Sequence, residues 1–240
     1  MKFFRDVWRA VGDVLFPPLC LLCGAHLGPF ERNLWRCSAC ALPEDFPAGF
    51  FCPACTRRSP SFPSCHPRAQ FGGVAPWSYE HHAVKTLIRA LKYGRLKVVA
   101  ASLGTPYSQY VEKSLALGGV ALSNAVIIPI PLHRAKLRKR GFNQSLLLAR
   151  TLRLPIKVPI LEHTLLKTKP TPSQTAQEKY ELRAVNVAGS FAVRDPESVR
   201  GKTILLLDDV ITSGATMSEA ARVLRLAGAK RVIGIAVARA

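Results

Sequence analysis

From residue 71 onward, near-continuous apolar runs alternate with segments whose apolar positions recur every three or four residues. Ala125–Ile130 (AVIIPI), Ile204–Leu207 (ILLL) and the stretch from Arg231 to Ala238 read as strands covered on both faces. Phe71–Glu80 alternates and reads as an edge strand; Lys157–Leu166 around Pro159 and Phe191–Val193 supply further strand material. His82–Tyr93 puts Val84, Leu87, Ile88 and Leu91 on one helical face, with Lys85, Arg89 and Lys92 on or near the opposite one, and stops at Gly94. A second helix runs from Leu96 to about Leu117. A third opens after Asn143, an N-cap type, and turns Leu146, Leu147, Ala149 and Leu152 inward. The fourth, Gly214–Leu226, turns Met217, Ala220, Ala221, Val223 and Leu224 toward the sheet and ends at Gly228. This alternation predicts an α/β fold, a mostly parallel, doubly wound sheet flanked by helices.

The first 70 residues follow another pattern. Met1–Phe16 sets apolar Phe3, Phe4, Val7, Trp8, Val11 and Leu15 among charges at Lys2, Arg5, Asp6, Arg9 and Asp13. The charges exclude a signal peptide, and the length excludes a bilayer span, so no stable membrane insertion is expected. The apolar stripe is expected to pack on the protein body, with peripheral membrane contact as the alternative. Pro17 to Gln70 is rich in Cys, Pro and aromatic residues. The expected division is therefore 1–70, a helix and a metal-stabilised module, and 71–240, the α/β domain.

Cysteine spacing explains the module. Six of seven cysteines form three C-x-x-C pairs, a metal-ligand spacing more fitting than disulfides in a chain of this size. Cys20, Cys23, Cys37 and Cys40 complete a four-thiolate Zn²⁺ site, structural because no coordination position stays open. Cys52, Cys55 and Cys65 leave a second site incomplete. His66 is the candidate fourth ligand, although its adjacency to Cys65 is awkward; the alternative is a decayed site held by packing.

Candidate chemistry gathers after two of the strands. Asp208 and Asp209 fall at the carboxyl end of the ILLL run, where open α/β sheets place ligands. Thr212, Ser213, Gly214, Ala215 and Thr216 then offer hydroxyls and unencumbered amides at a helix start, which suits a phosphate. The aspartates suit sugar hydroxyls or a Mg²⁺ ion. Together they describe a ribose 5-phosphate site, and the missing Lys excludes a nucleotide-binding P-loop; an ordinary helix cap is the plain alternative. Pro131–Gly141 reads as a dense cationic loop with His133, Arg134, Lys136, Arg138, Lys139 and Arg140, fit for a polyphosphate. These side chains exceed one pyrophosphate, leaving some for a nucleic-acid backbone or merely for solvent. Lys167–Ser190 reads as a polar loop whose Gln and Asn residues either meet ligand or cap turns.

Charge extends the picture. In 240 residues, 34 Lys and Arg against 15 Asp and Glu give a formal net charge of +19, which favours polyanionic partners, nucleic acid above all. Excess solvated charge is the alternative.

DDVITSGAT at Asp208–Thr216 resembles the 5-phosphoribosyl 1-pyrophosphate (PRPP) motif of type I phosphoribosyltransferases. With RGFNQ at Arg140–Gln144 and the cysteine pairs, the chain resembles the ComF/GntX family over nearly its whole length. The resemblance implies a double zinc ribbon before a type I phosphoribosyltransferase-like domain, although the family's last zinc ligand falls at Arg68 here. It implies PRPP binding with Mg²⁺ at Asp208, Asp209 and Thr212–Thr216. Pyrophosphate and a closing loop would be served by Arg134, Lys136, Arg138, Arg140, Lys167, Lys169, Gln174 and Arg183, with Asn186 a further polar position. It also implies a cytoplasmic bacterial protein that handles incoming single-stranded DNA during natural transformation, beside a protein of the uptake machinery. The alternative is a catalytic transferase acting on an unidentified nitrogen acceptor, for which no acceptor pocket is recognisable in the sequence.

Overall fold

The computed structural model describes residues 17–40, 42–43, 47–63, 65–66, 69–94, 96–170 and 187–240. The helix expected over Met1–Phe16, Arg68, and Gln174, Arg183 and Asn186 lie outside them. Among the described residues no helix is long and apolar enough to cross a membrane.

Strands β1 (Phe50–Phe51), β2 (Arg58–Ser59), β3 (Gly72–Val74), β4 (Trp77–Ser78), β5 (Ala125–Pro129), β8 (Thr203–Ile211) and β9 (Arg231–Arg239) form the main sheet, in the order β2-β1-β3-β9-β8-β5 with β4 continuing beside β9. β6 (Leu165–Lys167) and β7 (Phe191–Val193) make a separate antiparallel ribbon. β3, β9, β8 and β5 run parallel, with Leu205 paired to both Ile127 and Ile233. The α-helices among the described residues include α1 (His82–Lys92), α2 (Val99–Leu117), α3 (Arg134–Arg140), α4 (Gln144–Thr151) and α5 (Ala215–Leu226).

The two-residue period of a strand divides the core. Leu205, Leu207, Ile127, Ile233 and Ile235 pack one way, against Leu87 of α1, Leu103 and Tyr107 of α2, and Leu148 of α4. Ile204, Leu206, Val126, Ile128 and Val232 pack the other way, against Met217, Ala220, Ala221 and Leu224 of α5. Each fully buried branched side chain contributes roughly 1.5–3 kcal/mol relative to exposure, so β8, covered on both faces, is the strand around which the domain condenses.

Five local expectations change. β3 is not an edge: β1, from the cysteine-rich segment, pairs antiparallel with it and lays Phe51 opposite Gly73. The cationic segment is not a loop but α3, because RAKLRKR is made of good helix formers. His133 Nδ1 accepts from the Ala135 amide at 3.4 Å, Gly141 ends the helix with φ of 82°, and Arg138, Lys139 and Arg140 offset the dipole in its last turn. β8 continues through the aspartates to Ile211, since β9 pairs with it as far as Arg239. Residues around Pro159 contribute only an isolated bridge, Ile160 to Ile127, and the strand begins at Leu165. In α4 the buried apolar residues are Leu148 and Ala149, with Leu146 and Leu147 only partly covered.

Two glycines give opposite expectations. A Cβ at Gly73 would collide with the buried Phe51 ring, whereas one at Gly104, inside α2, would make an ordinary 3.5 Å contact with Thr151. Gly73→Ala is expected to lose about 1–3 kcal/mol and Gly104→Ala to gain about 0.5–1 kcal/mol, measured by urea denaturation.

Candidate functional site

The site begins where β5 stops and β8 does not. Pro129 lies opposite Leu207, so Asp208 and Asp209 run past the end of the neighbouring strand and border an open crevice. Asp208 Oδ1 accepts from Ser145 Oγ at 2.8 Å and from the Asp209 amide at 2.8 Å. Ser145 is delivered by α4, whose start is braced by Asn143: Asn143 Oδ1 accepts from the Ser145 amide at 3.1 Å, and Asn143 Nδ2 donates to Ile130 O at 3.0 Å. The RGFNQ segment thus ties α4 to the end of β5 and, through Ser145, to Asp208.

Asp209 is buried and meets Lys92 Nζ at 2.7 Å, while its other oxygen accepts from the Val210 amide at 2.9 Å. Burial works to lower the Lys92 pKa, but the Asp209 charge and hydrogen bond carry it above its usual value. Burial, followed by the Asp209 charge, pushes the Asp208 carboxyl up to about 7, against the opposing pull of Lys92, the Asp209 amide and Ser145. Asp208 therefore exchanges a proton near neutrality.

Beside the aspartates opens a cleft of about 460 Å³ whose walls carry Lys92, Lys136, Lys139, Arg140 and Lys167, with Tyr93, Leu132 and His133. Partial withdrawal from solvent, then the charges of Arg140 and Lys92, lower the Lys136 pKa, and withdrawal from solvent likewise lowers that of Lys167. Arg140 donates to Gln144 Oε1 and lies 6.0 Å from the Tyr93 ring centre. Arg134 and Arg138 are exposed on α3 outside this lining, and Lys169 is exposed with its Nζ near Gly189. Lys92 and Tyr93 are the residues that sequence reasoning missed as site residues, and Ser145 is another. A signal existed for Lys92, which lies four residues after buried Ile88 and adjoins buried Leu91.

The turn Thr212–Gly214 leads into α5. Gly214 adopts φ of 74°, Ser213 Oγ accepts from the Ala215 amide at 3.4 Å, and the Ser218 amide bonds Gly214 O at 2.8 Å. The first-turn amides of such a helix have no acceptor within it and face an anion readily.

The cysteines gather into two groups, in each of which the ligand atoms all lie within 4.8 Å of one another. Cys20, Cys23, Cys37 and Cys40 sit on two facing turns, with Cys23 and Cys37 Sγ 3.6 Å apart. The Leu22 and Cys37 amides both donate to Cys20 Sγ at 3.4 Å. In the second group Cys55 and Cys65 Sγ are 3.6 Å apart, and His66 Nδ1 is 3.4 Å from Cys52 Sγ, so His66 joins the cluster despite its adjacency to Cys65. These separations approach the edge of about 3.8 Å that a tetrahedron of ~2.3 Å Zn–S bonds requires. Both groups can hold zinc.

A phosphoribosyl transferase domain model matches residues 118–240. The DNA utilization protein YhgH of Salmonella typhimurium is 29% identical over 227 residues, covering 90% of this chain and 94% of that protein. Competence protein F of Haemophilus influenzae is 30% identical over 115 residues, 48% of this chain and 50% of its own length. Competence protein ComFC of Bacillus subtilis is 35% identical over 101 residues, 41% and 38% of the two chains. The chain belongs to the phosphoribosyl transferase family, alongside relatives named for DNA utilization and competence.

Proposed function

We propose that this is a PRPP-binding protein that handles single-stranded DNA during natural transformation, with PRPP as ligand or regulator and DNA as macromolecular partner. The observation that carries the reading is the cationic cleft beside the Asp208–Asp209 pair, linked to it by the Lys92–Asp209 ion pair, with the start of α5 following on the same strand, β8. Thr212–Thr216 would hold the 5-phosphate, the aspartates the ribose hydroxyls, and Lys136, Arg140 and Lys167 the pyrophosphate, with Mg²⁺ supplying charge to the pyrophosphate. Lys92 keeps Asp209 neutralised before ligand arrives and can pass to the phosphate when it does. The relatives' names and the +19 charge support the DNA half. The cysteine-rich residues up to 70 act as a zinc-stabilised module on the domain from 71, in a reducing cytoplasm where thiolates persist, and a protein of the uptake machinery is the partner proposed for it.

Calorimetric titration with PRPP and Mg²⁺, followed by salt-dependent binding of single-stranded DNA, tests both halves. Asp209→Ala is expected to weaken PRPP·Mg²⁺ at least tenfold, the scale of one lost charge-assisted contact of about 1.5–3 kcal/mol; unchanged affinity would exclude the site.

Asp208 gives a pH dependence. Its folded pKa of about 7 exceeds the 3.8 of an ordinary aspartate, so the folded protein takes up a proton and its stability declines as pH rises from about 4 to about 7. Asp208→Asn is expected to flatten that decline and to melt above wild type at pH 8, while losing PRPP affinity.

Elemental analysis is expected to find two zinc ions per chain, one for each ligand group. His66→Ala should retain only the first.

A further inference from the structure

We propose that the outer part of the cationic cleft is a nucleotide subsite, in which Tyr93 stacks on a base while Lys136, Lys139 and Arg140 hold its phosphates, next to the PRPP pocket and in competition with pyrophosphate. The inference rests on the functional reading above and locates the nucleic acid within it.

Tyr93 directly follows α1, and its side chain is 74% exposed although large apolar surfaces elsewhere on that helix are buried. Its ring borders the same cleft as the cations. The Arg140 guanidinium approaches one side of the ring and is itself oriented by Gln144, so the ring is supported and a face is left for a ligand. An aromatic platform flanked by cations that track a phosphate backbone is the arrangement by which proteins bind unpaired bases without reading sequence. A base-paired strand would not serve, because the face of each base is already stacked.

Charge points the same way. Arg140 and Lys92 press positive potential on Lys136, so the cleft favours an occupant with several negative charges. Its volume of about 460 Å³ lies in the range of ~300–1,000 Å³ typical of sites for whole small molecules. That leaves room for a base as well as phosphate. Lys92, on the wall of the cleft, is ion-paired to Asp209 at 2.7 Å, so the subsite and the PRPP pocket adjoin. Lys136 and Arg140 would serve a backbone phosphate or a pyrophosphate, but not both at full occupancy.

The test uses the full chain and two probes, a short deoxyoligonucleotide carrying 2-aminopurine and free deoxyadenosine monophosphate, titrated at low salt with PRPP binding measured in parallel. Tyr93→Ala is expected to weaken the oligonucleotide about tenfold, the effect of losing one stacked base, and Tyr93→Phe to stay within about twofold. Tyr93→Ala should leave the slope of affinity against salt unchanged, whereas Lys136→Gln should reduce it by about one unit. Added pyrophosphate should displace the strand. Tyr93-dependent binding of the monophosphate alone would support the subsite and make a free nucleotide its occupant, refuting the DNA half of the functional reading. Strand binding that is indifferent to Tyr93→Ala and to pyrophosphate would overturn the subsite while leaving that reading intact. Binding of neither probe by wild type would overturn the subsite and the DNA half of the functional reading together.

Discussion

A buried carboxylate is stable only where a cation or donors reach it, and the Lys92–Asp209 ion pair meets this requirement at the wall of the cleft. Ending α1 where its last residue reaches β8 fixes that helix against the sheet. The same need draws Ser145 to Asp208, and with it the start of α4. Such a pair adds little net stability against an apolar substitute of the same volume, while removal of either partner is costly. Its presence therefore speaks for function: it keeps two acidic side chains poised at a crevice without letting the fold expel them.

The crevice itself follows from unequal strand lengths. Pro129 is the last paired residue of β5, and Pro131 has no amide to extend the ladder, so the chain turns away into α3. β9, with no such interruption, accompanies β8 to Ile211. The carboxylates thus have a pairing strand on one side and open space on the other, and α3 lays its cations along that space. Ligands gather at such places in open α/β sheets because strand ends point there and no strand closes the gap.

Much of this was legible from local periodicity. The ILLL strand, α5 with its small-residue start, the Asn143 cap and the paired cysteines all depend on neighbours in the chain, and each stands where the pattern put it. What was not legible depended on partners distant in sequence. Lys92 looked like a solvent-facing helix charge until Asp209 was brought to it. Its spacing from Ile88 hinted at burial but named no partner. The Pro131–Gly141 segment read as a loop because its charge density obscured its helix propensity, and β3 read as an edge because nothing in Phe50–Phe51 announces a strand that will cover it. Cys65 and His66 looked mismatched because adjacent residues on a regular strand point apart, whereas on this turn both reach the cluster.

The two chemistries of the chain share a wall. Gly214 opens the turn into α5 in a conformation with positive φ, and the nearest atoms to a Cβ there would be Phe71 at 3.6 Å and Pro53 at 3.8 Å. Pro53 stands between Cys52 and Cys55, and Arg239, at the end of β9, donates to Thr56 O at 3.3 Å just beyond them. The second cysteine turn consequently lies beside the Gly214 turn on one side and is bonded to the end of the sheet on the other. Phe71 and Pro53 thus border the space that a side chain at position 214 would enter, so the turn into α5 and the second cysteine turn are neighbours in the fold. The cysteine-rich segment is therefore more than an appendage to the α/β domain: it pairs with β3, bonds the end of β9 and lines the turn from which α5 starts.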